Sequence, residues 1–169
     1  ECFLYPILDY CLVHAGEPGI KALIIYPMNA LAADQQRRLA QLIDDLNSGQ
    51  TKDKQIRGGI YTGDSDTKHR NQTREHLVSE RKELRENPPD ILLTNYRMLD
   101  FLLMRLDDQV LWKNTGAGVF QFLVVDELHT YDGAQGTDLA CLIRRLRDRL
   151  GLLDTQAVDV GIIGDALLG

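Results

Sequence analysis

The chain has 169 residues, of which 44% are hydrophobic and 26% charged, a globular balance with enough apolar material for one core. Its 19 basic and 25 acidic residues leave a net charge of −6, which excludes a wholesale basic coat for nucleic acid and makes any such binding local. Cys2, Cys11 and Cys141 are widely spaced, odd in number and without metal-ligand spacing, and they read as reduced packing residues of an intracellular, cytoplasmic protein. No apolar run approaches the roughly 20 residues that span a bilayer, so no membrane partner is expected.

In chain order, ECFLYPILDYCLVHAG carries Phe3, Leu4, Ile7, Leu8, Cys11 and Leu12 on one helical stripe. It has no N-cap or preceding strand of its own, and the chain does not open on Met. A piece of a longer protein is therefore expected. KALIIYP is a short buried strand after the turn GEPG. Asn29 can cap the next helix, whose stripe is Leu31, Gln35, Leu39, Leu42, Ile43 and Leu46, ended by Asn47-Ser48-Gly49. IRGGIYTGD is a second strand. Residues 67–87 are dense in charge and poor in apolar positions, and they read as a solvated helical or mobile excursion outside the core.

Pro88-Pro89 ends that excursion, DILLTN is a third strand, and YRMLDFLLMRL is a helix with Met98, Leu99, Leu102, Leu103 and Leu106 inward. A loop anchored by Trp112 leads to the strand FLVVDE. A helix over 134–150 turns Leu139, Leu142, Ile143, Leu146 and Leu150 inward and most of Arg144, Arg145, Arg147 and Arg149 outward. AVDVGII is the last strand. Short apolar strands alternating with helix-length connections predict a doubly wound α/β domain, a parallel sheet with helices on both faces. In such sheets ligands bind beyond the carboxyl ends of the strands. The unusual polar residues gather there, at 27–31, 61–64, 94–96 and 126–129.

Of these, the pair Asp126-Glu127 is the most telling. An apolar strand ending in two acids suits metal-nucleotide hydrolysis: one carboxylate holds hydrated Mg²⁺ and the other orients or deprotonates the attacking water. Taken alone, the pair also fits a strand whose end is simply wet. The surrounding segments add to it. FLVVDELHTYDGAQGTDLACLIRRL resembles the Walker B segment, motif II, of DEAD/DEAH-box-type superfamily 2 helicases. IIYPMNALAADQ is similar to their motif Ia, YTGD to the Thr-Gly element after it, and LLTNYRML to motif Ib. The likeness covers almost the whole chain in the right order. It is nearest to a bacterial branch of large DNA-repair and phage-defence helicases whose acid box precedes a Tyr and a Gly-rich helix start.

The resemblance implies a RecA-like, ATP-binding helicase domain over residues 1–169, using ATP and Mg²⁺. Asp126 would be the magnesium partner, Glu127 the catalytic base, and His129 a link between hydrolysis and strand movement; the plain alternative for His129 is a hydrogen-bonded histidine at a helix entry. Pro27, Asn29 and Ala30 begin a helix whose free N–H groups suit a phosphate. With Thr62, Gly63, Thr94 and Asn95 they would track one strand of nucleic acid, DNA rather than RNA, through its backbone. Turn chemistry alone also accounts for Thr62-Gly63. The arginine cluster and residues 67–87 read as solvated faces, and Trp112 and Tyr131 as packing residues.

Two family elements are missing. No Gly-rich phosphate loop ending in Lys-Thr or Lys-Ser occurs; the family places it just before a helix like residues 2–15, so Glu1 would directly follow it. Alone, this segment is expected to bind ATP poorly and hardly turn it over, and a second motor domain of the same chain is implied. Where the family has Ser-Ala-Thr, the sequence reads Asp165-Ala166-Leu167, which puts the coupling of hydrolysis to unwinding in question. The competing readings are a non-catalytic nucleic-acid-binding or scaffold module derived from a decayed motor, and a Mg²⁺-dependent nuclease. The nuclease lacks a second acid-Lys strand pair.

Overall fold

The computed structural model describes residues 3–27, 29–63, 69–152 and 159–163, the side chains of 29–34 and 159–163 excepted. The expectations on Asp64 and on residues 165–169 lie outside the described residues. Five strands form one sheet: β1 (Ala22–Tyr26), β2 (Gly58–Tyr61), β3 (Ile91–Asn95), β4 (Phe122–Asp126) and β5 (Asp159–Ile163). All four pairings are parallel, in the order β2-β3-β1-β4-β5. The helices are α1 (Leu4–Val13), α2 (Asn29–Asn47), α3 (Arg81–Glu86), α4 (Tyr96–Met104) and α5 (Gly133–Leu150). The doubly wound α/β fold is thus as expected.

Alternation along the strands divides the core into two layers. Ala22, Ile24, Tyr26, Leu93 and Val124 pack with α1 and α2, through Leu4, Ile7, Leu8, Cys11, Leu39 and Ile43. Leu23, Ile25, Leu92, Leu123 and Val125 pack on the other face with α4 and α5, through Met98, Leu99, Leu102, Leu139, Leu142 and Leu146. Because β1 and β4 are buried on both faces, their sequences read as unbroken apolar runs. Tyr10, late in α1, meets the ring of Phe122 at the start of β4 edge-on, centroids 5.6 Å apart. The later turns of α1 therefore lie toward the edge where the strands begin.

Three expectations need correction. Cys141, read as a packing residue, is exposed on α5. Residues 69–86 are not a solvated excursion: Leu77, Val78 and Leu84 are buried, and the helix is confined to α3. The cause is Gly58-Gly59 on β2. A Cβ at Gly58 would come within 2.6 Å of Leu77, and one at Gly59 within 2.6 Å of Leu84; the two bare positions face opposite sides of the sheet and let the segment wrap around the edge strand. Val78 also pairs with β2, its N–H donating to Gly58 O at 3.1 Å and its carbonyl accepting from Ile60 N at 2.8 Å. The segment thus covers an edge that would otherwise expose unpaired backbone. Leu106 does not face inward but is 79% exposed, because Arg105 takes extended backbone and ends α4 one residue earlier.

At the amino ends of the strands, Lys21 and Asp90 form a buried ion pair. Lys21 Nζ donates to Asp90 Oδ1 at 2.7 Å and to Glu17 O at 2.5 Å, and Asp90 Oδ2 accepts from Arg57 N at 2.7 Å. Nothing in the local sequence pattern marks this pair. Lys21→Ala leaves the Asp90 carboxylate buried without its cation, and is expected to destabilise the fold by about 3–5 kcal/mol in urea unfolding. An unchanged midpoint would show that the pair contributes nothing.

Candidate functional site

The site follows from how the chain leaves its central strands. β1 exits to α2 on one face, whereas β4, its neighbour, exits to α5 on the other. Connections that diverge from adjacent parallel strands open a crevice at the carboxyl edge. Tyr26 and Pro27 lie on its β1 side; Asp126 and Glu127 lie on its β4 side.

Asp126 closes β4 half-buried, and its Oδ1 accepts the N–H of Glu127 at 3.1 Å. Burial first, and then the Asp126 carboxylate, push the Tyr26 phenol well above its ordinary range. Glu127 has φ 51° and ψ 44° and is the one non-glycine residue with positive φ among the described residues. This left-handed geometry turns the chain sharply into the short 3₁₀ turn Leu128–Thr130, so the two adjacent carboxylates leave the strand in different directions. Thr130 braces the turn by donating its hydroxyl to Glu127 O at 2.8 Å. His129 is 60% exposed, with Nε2 3.2 Å from Glu127 Oε2. Asp126, Glu127 and His129 are therefore gathered at one strand end.

The other predicted positions lie along the same edge. Pro27 follows β1, and α2 starts at Asn29 with Ala30 in its first turn. Thr62 is half-buried and Gly63 exposed after β2. Asn95 caps α4, its Oδ1 accepting from Met98 N at 2.8 Å. Thr94 is fully buried and donates its hydroxyl to Tyr61 O at 2.8 Å. Its place is beneath the surface, where it ties β3 to the end of β2. In strand order, these positions follow one another across β2, β3 and β1, with the acid pair next on β4.

Sequence reasoning missed the support beneath β2. Asp108, expected in a loop, is buried in the 3₁₀ segment Leu106–Trp112. It accepts from Arg85 Nε at 2.7 Å and from the Tyr61 hydroxyl at 3.2 Å, fixing the strand end before Thr62 and Gly63. Asp107 and Asp108 are adjacent acids in a polar stretch, and no periodicity distinguishes the buried one. Trp112 is a packing residue, its ring N–H donating to Leu102 O at 3.3 Å. Tyr131 is 8% exposed, and its ring meets that of Tyr96 edge-on at 5.9 Å.

These features define a doubly wound α/β domain with an acid pair at the carboxyl end of β4. The chain belongs to the DEAD/DEAH box helicase family, whose profile matches residues 1–159. It is 25% identical to the Druantia protein DruE of Escherichia coli, over 90% of this chain and 13% of that protein. It is 29% identical to the uncharacterized ATP-dependent helicase YprA of Bacillus subtilis, over 86% of this chain and 16% of that protein. Among solved structures it is similar to the DUF1998 helicase MrfA bound to DNA and AMPPNP, with a TM-score of 0.68 and 27% identity over 96% of this chain and 20% of the other. Mycobacterium smegmatis Lhr bound to ssDNA and AMP-PNP gives a TM-score of 0.61 and 25% identity over 88% of this chain and 17% of the other. The chain thus spans a small part of the relatives it matches. Among the described residues, no helix is long and apolar enough to cross a membrane.

A left-handed backbone at a residue with a side chain costs about 1–2 kcal/mol. Glu127→Gly relieves that cost, offset in part by glycine's extra freedom in the unfolded chain, and is expected to raise stability by up to about 1 kcal/mol in thermal unfolding. Glu127→Val is expected to lower it. A loss of stability in the glycine variant would show that the carboxylate supports the fold.

Proposed function

We propose that this domain is the first motor domain of an ATP-dependent DNA helicase or translocase, with ATP hydrolysed at the β1–β4 crevice. The observation that carries this reading is the acid pair Asp126-Glu127 where the exits of β1 and β4 diverge. Asp126 would hold Mg²⁺ through a water, and the ion, when bound, would supply charge neutralisation along the triphosphate. Glu127, turned away from Asp126 by its left-handed backbone and 36% exposed on its side chain, would orient and deprotonate the water that attacks the γ-phosphorus. His129, within hydrogen-bond reach of Glu127, would relay the state of that carboxylate to the exposed turn.

Nucleic acid would run past the ends of β2, β3 and β1. Two strand spacings, about 10 Å, separate Thr62-Gly63 from Pro27, so backbone N–H groups and short polar side chains at Gly63, Asn95 and the start of α2 can follow a sugar-phosphate chain. The negative net charge fits recognition by backbone groups in place of a Lys/Arg coat. Thr94 would act indirectly, by holding the Tyr61 carbonyl. DNA is preferred over RNA because the relatives solved with a bound strand hold DNA. A Gly-rich phosphate loop and a second motor domain of the same protein would complete the site.

The test uses the full-length protein. Glu127→Gln is expected to retain ATP binding and to lose turnover by at least about 100-fold. Unchanged turnover removes Glu127 from the role of base. Absence of turnover in the unsubstituted protein, with DNA binding kept, would favour the non-catalytic module.

A further inference from the structure

Tyr131 has no part in the proposed reaction, yet its surroundings are unusual. It lies five residues after Asp126, at the end of the turn that begins with Glu127. Its phenolic oxygen is buried and has no hydrogen-bond partner among the described residues. A buried hydroxyl without a partner is less favourable than the same ring without the oxygen. The sequence therefore keeps an oxygen where phenylalanine would fold better. An orphaned donor of this kind implies a second arrangement in which it is satisfied.

The neighbours indicate which one. Burial first, then Tyr96 and Asp126, push the phenol up to about 12, so the group keeps its proton at working pH, and Asp126 stands just before the turn that Tyr131 closes. On its other side the ring bears on Tyr96, the first residue of α4 and the neighbour of the capping residue Asn95. One side chain thus lies between the acid pair and the start of the helix at the β3 strand end.

We infer that Tyr131 is a positioning residue: its hydroxyl donates to the Asp126 carboxylate when the crevice closes on nucleotide, and its ring carries that closure to Tyr96 and the strand-end surface. The inference rests on the proposed function and deepens it. A donor behind a metal-facing carboxylate fixes the carboxylate's orientation, and loss of such a donor typically costs about 10–100-fold in metal affinity or activity. Contact with Tyr96 gives the same side chain a way to sense whether the α4 start is engaged.

The test is Tyr131→Phe in the full-length protein, which keeps the ring and removes the oxygen. Without nucleotide, the melting temperature is expected to stay level or rise. The Mg²⁺ concentration for half-maximal ATP turnover is expected to rise about 10-fold, and stimulation of turnover by a single-stranded oligodeoxynucleotide to fall. The stabilisation conferred by Mg²⁺ with AMPPNP in a melting experiment is expected to shrink. A purely structural role would lower the nucleotide-free melting temperature and leave the magnesium requirement in place. A lowered melting temperature without nucleotide, or a wild-type magnesium requirement, or wild-type stimulation, overturns the inference. If Glu127→Gln loses turnover as proposed while Tyr131→Phe matches the wild type, this inference alone fails. If the unsubstituted protein shows no magnesium-dependent turnover, the functional reading fails and takes this one with it.

Discussion

The pairing of β1 with β4 is the constraint on which the rest depends. The two strands lie side by side in parallel register, Ile25 against Val125, yet their exits go to opposite faces of the sheet. That divergence alone opens a crevice at the sheet edge. It also requires both strands to be apolar on both faces, since helices cover both, and leaves their last residues as the first places where polar groups are tolerated. Asp126 and Glu127 stand there because the fold offers no earlier position for them.

Glu127 carries local backbone strain at the end of β4. Its left-handed backbone is unfavourable for any side chain, and a glycine would relieve it. Retaining glutamate separates the directions of two adjacent carboxylates, which an extended continuation of β4 would also do, but with both still aligned to the sheet. The turn instead lifts the second acid toward solvent and brings His129 within 3.2 Å of it. Strain at such a position is held by its surroundings, here the Thr130 hydroxyl and the burial of Tyr131.

Much of this was legible in the sequence, because the signals are local. Apolar runs marked β1, β3 and β4, and the 3.6-residue stripes of α1 and α5 named their buried faces correctly. The acid pair stood out because strand ends in such sheets are functional places. What escaped were features set by contacts distant in sequence. Leu77 and Leu84 sit in a charge-rich segment and became core only because Gly58-Gly59, about 20 residues earlier, leave room for them. Lys21 and Asp90, and Asp108 with Arg85 and Tyr61, pair across dozens of positions and have no periodicity to announce them. Thr94 was expected at the surface with the other strand-end residues; it is buried and bonded to the adjacent strand's last carbonyl, which single-sequence reasoning does not see. Leu106 fits the helical stripe, but the backbone leaves the helix one residue before it.

The central claim is that Asp126 holds a divalent cation beside a nucleotide. Electron paramagnetic resonance of Mn²⁺ titrated into the full-length protein with AMPPNP reads this directly, in the unsubstituted protein and in Asp126→Asn. The account predicts a tightly held manganese–nucleotide signal in the first, and its loss in the second with the fold intact. Equal manganese binding by the two proteins would contradict it.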